Sequence, residues 1–281
     1  MVSWALLWVS CSGNGDADVG VCGDANLTRT VVFSELMFTR SEGGVSAGFD
    51  LDGRVSDGSA TEDCGITDLT GPDGEPGIDN TWANILPALE LTEAAAIEGL
   101  IQDAINSGEV LMTLELVAID DDVSDACVDV RLSRAAGQPF LGTDDRVLPG
   151  QTFDPAPGRE PVVVKAQRLE DGVLVAQGFD MLLPLSVFGK SFEFTLEDAS
   201  IEVILDENGA AHGQLAGGLS VAYALEVAST DDVDVALVGI MEQLLNANAD
   251  LGWDPALGEC TQVSLGFTWT GVSSFWYADP G

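Results

Sequence analysis

Alternating apolar and polar residues predict that most of the chain is β-strand. Residues 45–52 alternate in this way, which is the period-2 pattern of a strand with one buried face. Residues 30–39 are rich in β-branched and aromatic side chains, and residues 41–44 are predicted to close a hairpin between these two strands. The last clear strand presents large apolar side chains to one face: Val263, Leu265, Phe267 and Trp269.

Further hairpins follow from turn residues between apolar runs. Asn208-Gly209 is a strong turn signal because both residues tolerate positive φ. The predicted hairpins are 162–169 turning at 170–172 into 173–179, 181–188 turning at 189–190 into the strand that contains Phe192, and 201–205 turning at 206–209.

Two segments have helical periodicity instead. The first runs from Trp82, is interrupted at Pro87, and restarts after Thr92 as N-cap with an apolar stripe that reaches Ile105. The second begins near Thr230, and its stripe ends at Leu244.

The predicted fold is mainly β (α+β): an antiparallel β-sandwich or incomplete barrel, with the two amphipathic helical segments packed on one face. Residues 1–10 are interpreted as a signal peptide, 11–28 as a flexible tether and 29–281 as a single β-rich domain. The irregular stretch 138–161, rich in Gly, Pro and Asp, is the candidate boundary between subdomains.

The chain starts with an apolar run followed by Cys11. The run, MVSWALLWVS, is shorter than the about 20 residues that cross a bilayer, and it is typical of an export signal. Val9-Ser10-Cys11 is similar to the end of a bacterial lipobox, in which the cysteine is lipidated. The alternatives are an ordinary cleaved signal and a buried N-terminal strand.

Four cysteines remain once Cys11 is set aside: Cys22, Cys64, Cys127 and Cys260. In an exported protein this number predicts two disulfides, for which three pairings exist. Free buried thiols are the alternative reading.

Acidic residues far outnumber basic ones. The chain has 47 Asp and Glu against 10 Lys and Arg, a net charge of −37, so one-to-one pairing leaves at least 37 carboxylates without a basic partner. This charge excludes unaided binding to nucleic acid or to an anionic membrane. It also requires screening, either by salt or by bound divalent cations.

Calcium is the divalent ion that the acidic loops favour, because it takes carboxylate and backbone oxygens in flexible loops. The candidate ligands lie among glycines and prolines: Asp68, Asp73, Glu75, Asp79 and Asn80. A second cluster contains Asp120, Asp122 and Asp125, and Asp50-Leu51-Asp52-Gly53 partly matches the start of an EF-hand loop. Acidic loops that are merely solvated on a salt-adapted surface are the equal alternative.

Catalytic motifs receive little support, and no catalytic residue is predicted. Gly44-Val45-Ser46-Ala47-Gly48 matches the nucleophile elbow G-x-S-x-G, but the pattern around it is that of a strand instead of a strand-to-helix turn. The single histidine, His212, would have to serve as its base. A glycosidase needs only two carboxylates, and no pair stands out.

The lipobox and the segment GPDGEPGIDN resemble the Asp- and Gly-rich lipoproteins of bacterial cell envelopes. That resemblance implies an exported protein anchored to the outer membrane by Cys11, and it transfers no activity. An envelope protein or glycan is the expected partner. The leading hypothesis is a structural or adhesive protein with calcium-binding loops.

The second hypothesis is a carrier of a hydrophobic ligand or lipid, held between sheet and helices. Its cavity would be lined by Ile101, Leu182, Phe188 and Ile240. A hydrolase is the third.

Overall fold

A computed structural model describes residues 22, 27–90, 97–187, 190–229 and 235–277 of the chain. The predicted signal peptide, Cys11, Thr92, Phe188 and Thr230 lie outside the described residues, as does the predicted tether apart from Cys22 and residues 27–28.

The protein is mainly β, with 52% of residues in strands, and the described residues form four helices. The strands are β1 Leu27–Phe38, β2 Ser41–Glu42, β3 Val45–Ser46, β4 Leu69–Thr70, β5 Pro76–Ile78, β6 Leu111–Ile119, β7 Asp125–Ala136, β8 Gln151–Pro155, β9 Val162–Glu170, β10 Val173–Val187, β11 Lys190–Leu205, β12 Ala211–Ser220, β13 Leu251–Asp254 and β14 Glu259–Trp276. The helices are α1 Trp82–Leu89, α2 Ile97–Ser107, α3 Val221–Ala228 and α4 Val235–Ala247.

Eight antiparallel strands close into a barrel in the order β1-β6-β7-β9-β10-β11-β12-β14. The ring closes because β14 pairs with β12 and with β1, where Leu36 lies opposite Trp269. The mainly β prediction is therefore confirmed, whereas the predicted sandwich or incomplete barrel is not what the sheet forms. Closure removes the exposed strand edges that an open sheet would leave.

Aromatic side chains fill part of the barrel interior. Phe33 stacks on Trp269 with ring centroids 4.6 Å apart, and Phe38 stacks on Phe267 at 4.8 Å. All four are buried, as are Val263 and Leu265. The inward face predicted for the last strand is thus confirmed.

Helix α2 covers one mouth of this barrel. Helix α2 packs against β1 and β10, which lie on opposite sides of the ring, so the helix crosses the opening. Trp82 of α1 contacts Phe38, with ring centroids 5.6 Å apart. None of the described helices is long and apolar enough to cross a bilayer.

The first predicted helical segment corresponds to α1 and α2, and the second to α4. Helix α3 was not predicted from the sequence. It starts where the Ser220 hydroxyl accepts a hydrogen bond from the Tyr223 amide, and it packs on β11, β12 and β14.

Two disulfides join distant parts of the chain, as the cysteine count predicts. Cys22 pairs with Cys127 of β7, and Cys64 pairs with Cys260 of β14. The second bridge ties a small sheet of β2, β3, β4 and β5, together with its loops, to the barrel wall.

The predicted strand 45–52 is wrong over most of its length. Only Val45–Ser46 is a strand, paired with Ser41–Glu42 across Gly43-Gly44, and Phe49 makes an isolated bridge with Asp79. The Leu51 amide of this segment donates to the Asp79 carboxylate instead of to a partner strand, and the chain turns just beyond it, where the Arg54 amide donates to both Asp50 and Asp52.

The other predicted hairpins agree better with the structure. Strands β9 and β10 turn at Asp171-Gly172, and β11 and β12 turn at 206–209, with Gly209 at positive φ. Strands β10 and β11 also pair as a hairpin; of its predicted turn at 189–190, Gly189 lies outside the described residues and Lys190 begins β11. Within the irregular stretch 138–161, strand β8 pairs with β7 and with β14.

Candidate metal centre

Three carboxylates converge in the loops between β3 and α1. Oxygens of Asp50, Asp52 and Asp79 all lie within 4.8 Å of one another. The bridge between Phe49 and Asp79 brings the two chain segments together. Gly77, at φ +88°, permits the close approach, because a Cβ there would lie 3.0 Å from the Arg54 carbonyl oxygen and 3.5 Å from the Asp50 carboxyl carbon.

Asp79 is the buried member of this cluster, with 3% of its surface exposed, whereas Asp50 and Asp52 are exposed. One Asp79 oxygen accepts a hydrogen bond from the Leu51 amide at 2.7 Å. Burial raises the pKa of Asp79 to about 8, and repulsion from Asp250, Asp68 and Asp52 adds to the effect. A bound cation would reverse this balance by stabilising the ionised form.

Two neighbouring carboxyl groups share this environment. Burial raises the pKa of Asp68, with further repulsion from Asp52, Asp50 and Asp63. Burial also raises the pKa of Asp250 to about 6, although it accepts hydrogen bonds from the Ser264 amide and hydroxyl. The region therefore brings several carboxyl groups together, and burial disfavours the charged form of Asp79 and Asp250.

Arg54 is the basic residue that faces this group of acids. Its guanidinium pairs with Asp52 at 3.3 Å and with Asp63 at 2.9 Å. No ion pair found within the described part of the chain involves Asp50 or Asp79. Two of the three converging carboxylates thus have no basic partner there.

The donor set suits a hard divalent cation. Calcium takes 6–8 oxygen ligands at 2.3–2.6 Å, in flexible geometry, and water supplies whatever the protein does not. Two exposed carboxylates leave room for water, and the buried Asp79 supplies a fixed oxygen. Nothing in the set favours zinc, which prefers sulfur and nitrogen ligands.

The five residues predicted as calcium ligands do not all meet. Asp79 belongs to the cluster, and Asp68 lies near it but accepts a hydrogen bond from the Ser56 amide at 2.5 Å. Asp73 and Glu75 are exposed in the turn between β4 and β5. Asn80 is 1% exposed, and its amide donates to the Thr39 carbonyl and the Ser46 hydroxyl.

The second predicted cluster stabilises a turn between β6 and β7. The two Asp125 oxygens accept hydrogen bonds from the Asp120 and Cys127 amides, and these bonds lower the pKa of Asp125. Asp122 pairs with Arg29. The structure therefore does not bring Asp120, Asp122 and Asp125 together as three free carboxylates.

The residues predicted to line a hydrophobic cavity also do not lie together in the structure. Ile101, on α2, is 1% exposed and packs in the core. Leu182 on β10 is 43% exposed, and Ile240 on α4 is 49% exposed. Leu182 does line a cavity, at a different place from the one predicted. Phe188 is outside the described residues.

Ser46 and His212 occupy different environments. The Ser46 side chain is buried, donates to the Ala47 carbonyl and accepts from the Asn80 amide. His212 is half exposed on β12, 3.5 Å from Asp206. These contacts give Ser46 no histidine as base.

The convergence of Asp50 and Asp52 with Asp79 was not predicted as one site. The Asp-x-Asp-Gly spacing at 50–53 was the available signal, and Asp79 lies 27 positions after Asp52. Only the fold reveals that the bridge at Phe49 joins the two segments.

Comparison with known proteins adds no further assignment. No protein-family model, no curated protein and no solved structure matches this chain.

Proposed function

We propose that this protein is a non-enzymatic, exported protein of the bacterial cell envelope whose loop region binds calcium and thereby serves a structural or adhesive role. The observation that carries the proposal is the convergence of Asp50, Asp52 and Asp79, in which the buried Asp79 has no basic partner among the described residues. The ion would join two loop segments that few backbone hydrogen bonds connect.

The proposed location rests on two features. An apolar N-terminal run ends at the lipobox-like Cys11, and the four remaining cysteines form two disulfides, which persist in oxidising compartments. In such compartments calcium is abundant, and loop sites with affinities of about 10⁻⁴–10⁻³ M are filled. Anchoring through Cys11 would place the barrel at the outer membrane, facing envelope proteins or glycans.

Calcium is expected to raise the melting temperature of the wild-type protein beyond what sodium chloride does at equal ionic strength. Binding to the folded state alone stabilises it by RT ln(1 + [Ca²⁺]/Kd), about 2.7 kcal/mol at 100 times Kd. The measurement is thermal unfolding in EDTA, in calcium chloride and in matched sodium chloride, with isothermal titration calorimetry for the affinity.

Asp52→Asn and Asp79→Asn are expected to lose the calcium-specific shift. Asp73→Asn is the matched control, because it makes the same charge change at an exposed acid of the same loop region. Sodium chloride that reproduces the full calcium effect, or an Asp52→Asn protein that still binds calcium as the wild type does, would contradict the proposal.

A further inference from the structure

Strands β9 and β10 pair over only a short part of the seam between them in the barrel wall. The two strands form a hairpin at Glu170 and Val173, but their ladder contains only the pairs Val173–Glu170 and Leu174–Leu169. Beyond Leu174, β10 pairs with β11 alone among the described strands, while β9 follows β7. The barrel is therefore closed at one end of this seam and split at the other.

A cavity of about 270 Å³ lies in the split. Its floor is apolar and comes from the inner face of the barrel: Met112, Leu132 and Met181, each 3–4% exposed. Leu182, on the outer face of β10, forms part of the wall. The volume is just below the 300–1,000 Å³ of pockets for drug-sized ligands, so it suits a smaller molecule.

Two arginines flank this floor and share one carboxylate. Arg134 contacts Glu193 through Nη1 at 3.2 Å, and Arg159 contacts both Glu193 oxygens through Nη2 at 2.6 Å. Within this Arg134–Glu193–Arg159 group, two of the chain's 10 basic residues face one carboxylate.

These arginines have donors to spare. Nη2 of Arg134 donates to the Glu109 carbonyl, but its Nε is buried and has no partner in the described part of the protein. Arg159 uses only Nη2 in the contacts found there, which leaves its other N–H groups for a ligand. The free N–H groups of Arg159, whose side chain is partly exposed, would form charge-assisted hydrogen bonds with an anionic acceptor in the cavity.

The remaining charged residues of the cavity are Glu160 and Asp180. Both are exposed, whereas Arg134 has only 22% of its side chain exposed and is the least exposed of the three charges in the Arg–Glu–Arg group. Solvent screens the two outer acids more than it screens the arginine.

We propose that the β9–β10 cleft binds a medium-chain alkyl carboxylate, with its alkyl chain on the methionine and leucine floor and its carboxylate on Arg134 and Arg159. An apolar floor beside an excess of guanidinium donors is complementary to this amphipathic class. The site is separate from the calcium centre and holds whether or not that centre binds metal.

Octanoate is the probe, and isothermal titration calorimetry in EDTA on the disulfide-intact protein is the measurement. We expect wild-type protein to bind octanoate and to bind octanol about tenfold more weakly, because the alcohol lacks the charge-assisted hydrogen bonds. Arg159→Gln is expected to weaken octanoate binding about tenfold and to leave octanol binding unchanged. Arg168→Gln, an equal charge change on exposed β9, is the control.

A second pair of variants locates the site. Leu182→Trp places a large ring at the wall and is expected to abolish octanoate binding, whereas Val175→Trp changes an equally exposed residue of the same strand away from the cavity and is expected to preserve it. Absence of octanoate binding by the wild type, or equal binding by both tryptophan variants, would overturn the assignment. Equal affinity for octanoate and octanol would overturn the role of the arginines.

Discussion

Asp79 illustrates how one buried side chain couples stability to pH. Its carboxyl group has a pKa of about 8 in the folded protein because burial disfavours the charged form. In the unfolded chain the same group titrates near 3.8. The folded state therefore holds a proton that the unfolded state releases, and stability falls as pH rises between these two values.

Without metal, the free energy of unfolding is expected to decrease from pH 6 to pH 8, by about 1 kcal/mol or more, since one pKa unit corresponds to about 1.4 kcal/mol. Asp79→Asn removes the titrating group, so its decrease over this range should be smaller. Chemical denaturation in EDTA at pH 6, 7 and 8 measures the effect. Asp250, with a pKa of about 6, contributes mainly below this range.

Asp73→Asn serves as the comparison for this experiment because Asp73 is exposed. A pH profile of Asp79→Asn that coincides with those of the wild type and Asp73→Asn would show that Asp79 is not the responsible group.

At the scale of single residues, the sequence correctly indicated acidic loop residues as candidate ligands, but it identified only part of the site. The Asp-x-Asp-Gly spacing of Asp50 and Asp52 is visible in the sequence, and so is the acidic loop that ends at Asp79. Their meeting depends on the bridge from Phe49, a non-local contact that no spacing encodes. Local patterns also cannot show that Asp73 and Glu75 point to solvent.

Two glycines, one inside helix α2 and one just after it, have opposite requirements. Gly108, just after the helix, has φ +84°, and a Cβ there would lie 2.1 Å from the Gly137 carbonyl oxygen. A Cβ on Gly99, inside the helix, would have nothing within 4 Å. The first glycine is thus needed for chain reversal, whereas the second only weakens the helix.

Gly99→Ala is expected to stabilise the protein by about 0.5–1 kcal/mol, because alanine is the better helix former. Gly108→Ala is expected to destabilise it by about 2 kcal/mol or more, because the backbone must shift to relieve the clash with Gly137. Denaturant unfolding of both variants tests this pair. Changes of the same sign would refute the distinction between the two positions.

Secondary structure was predictable where local chemistry decided it. Asp171-Gly172 and Asn208-Gly209 produce their turns because these residues tolerate positive φ. The prediction of a strand over 45–52 was wrong because the Leu51 amide donates to the Asp79 carboxylate, and Asp50 and Asp52 form a turn by accepting from the Arg54 amide. Helix α3 was not predicted because its sequence, VAYALEVA, is apolar enough to resemble a buried strand.

The charge of the complete chain is only partly neutralised by ion pairs. All eight arginines form ion pairs with carboxylates. Most of these contacts are at least partly exposed, where a pair contributes about 0–1 kcal/mol. The large acidic excess therefore remains as self-repulsion over the barrel surface.

Sodium chloride is expected to raise the melting temperature of the metal-free protein. Salt shortens the Debye length from about 10 Å at 0.1 M to about 3 Å at 1 M, which weakens repulsion among unpaired carboxylates. Thermal unfolding in EDTA across this range is the measurement. A constant or falling melting temperature would show that self-repulsion does not limit stability.

The closure of the barrel could not be predicted from the sequence. It depends on β14 pairing with β1, which lies at the other end of the chain, and on β14 being long enough to pair with β12 as well. Amphipathic periodicity indicates which side of a strand is buried, and it is the same in a sandwich and in a barrel.

The bridge between Cys22 and Cys127 has a mechanical consequence. Cys22 precedes β1 and is bonded to β7, which is held between β6 and β9 in the wall. Tension applied to the N-terminal end of the chain would pass through the sulfur–sulfur bond into β7, where the adjoining ladders would have to be sheared. Strand β1 would be spared from being peeled away first, so a molecule suspended from that end would resist pulling as long as the bridge stays oxidised.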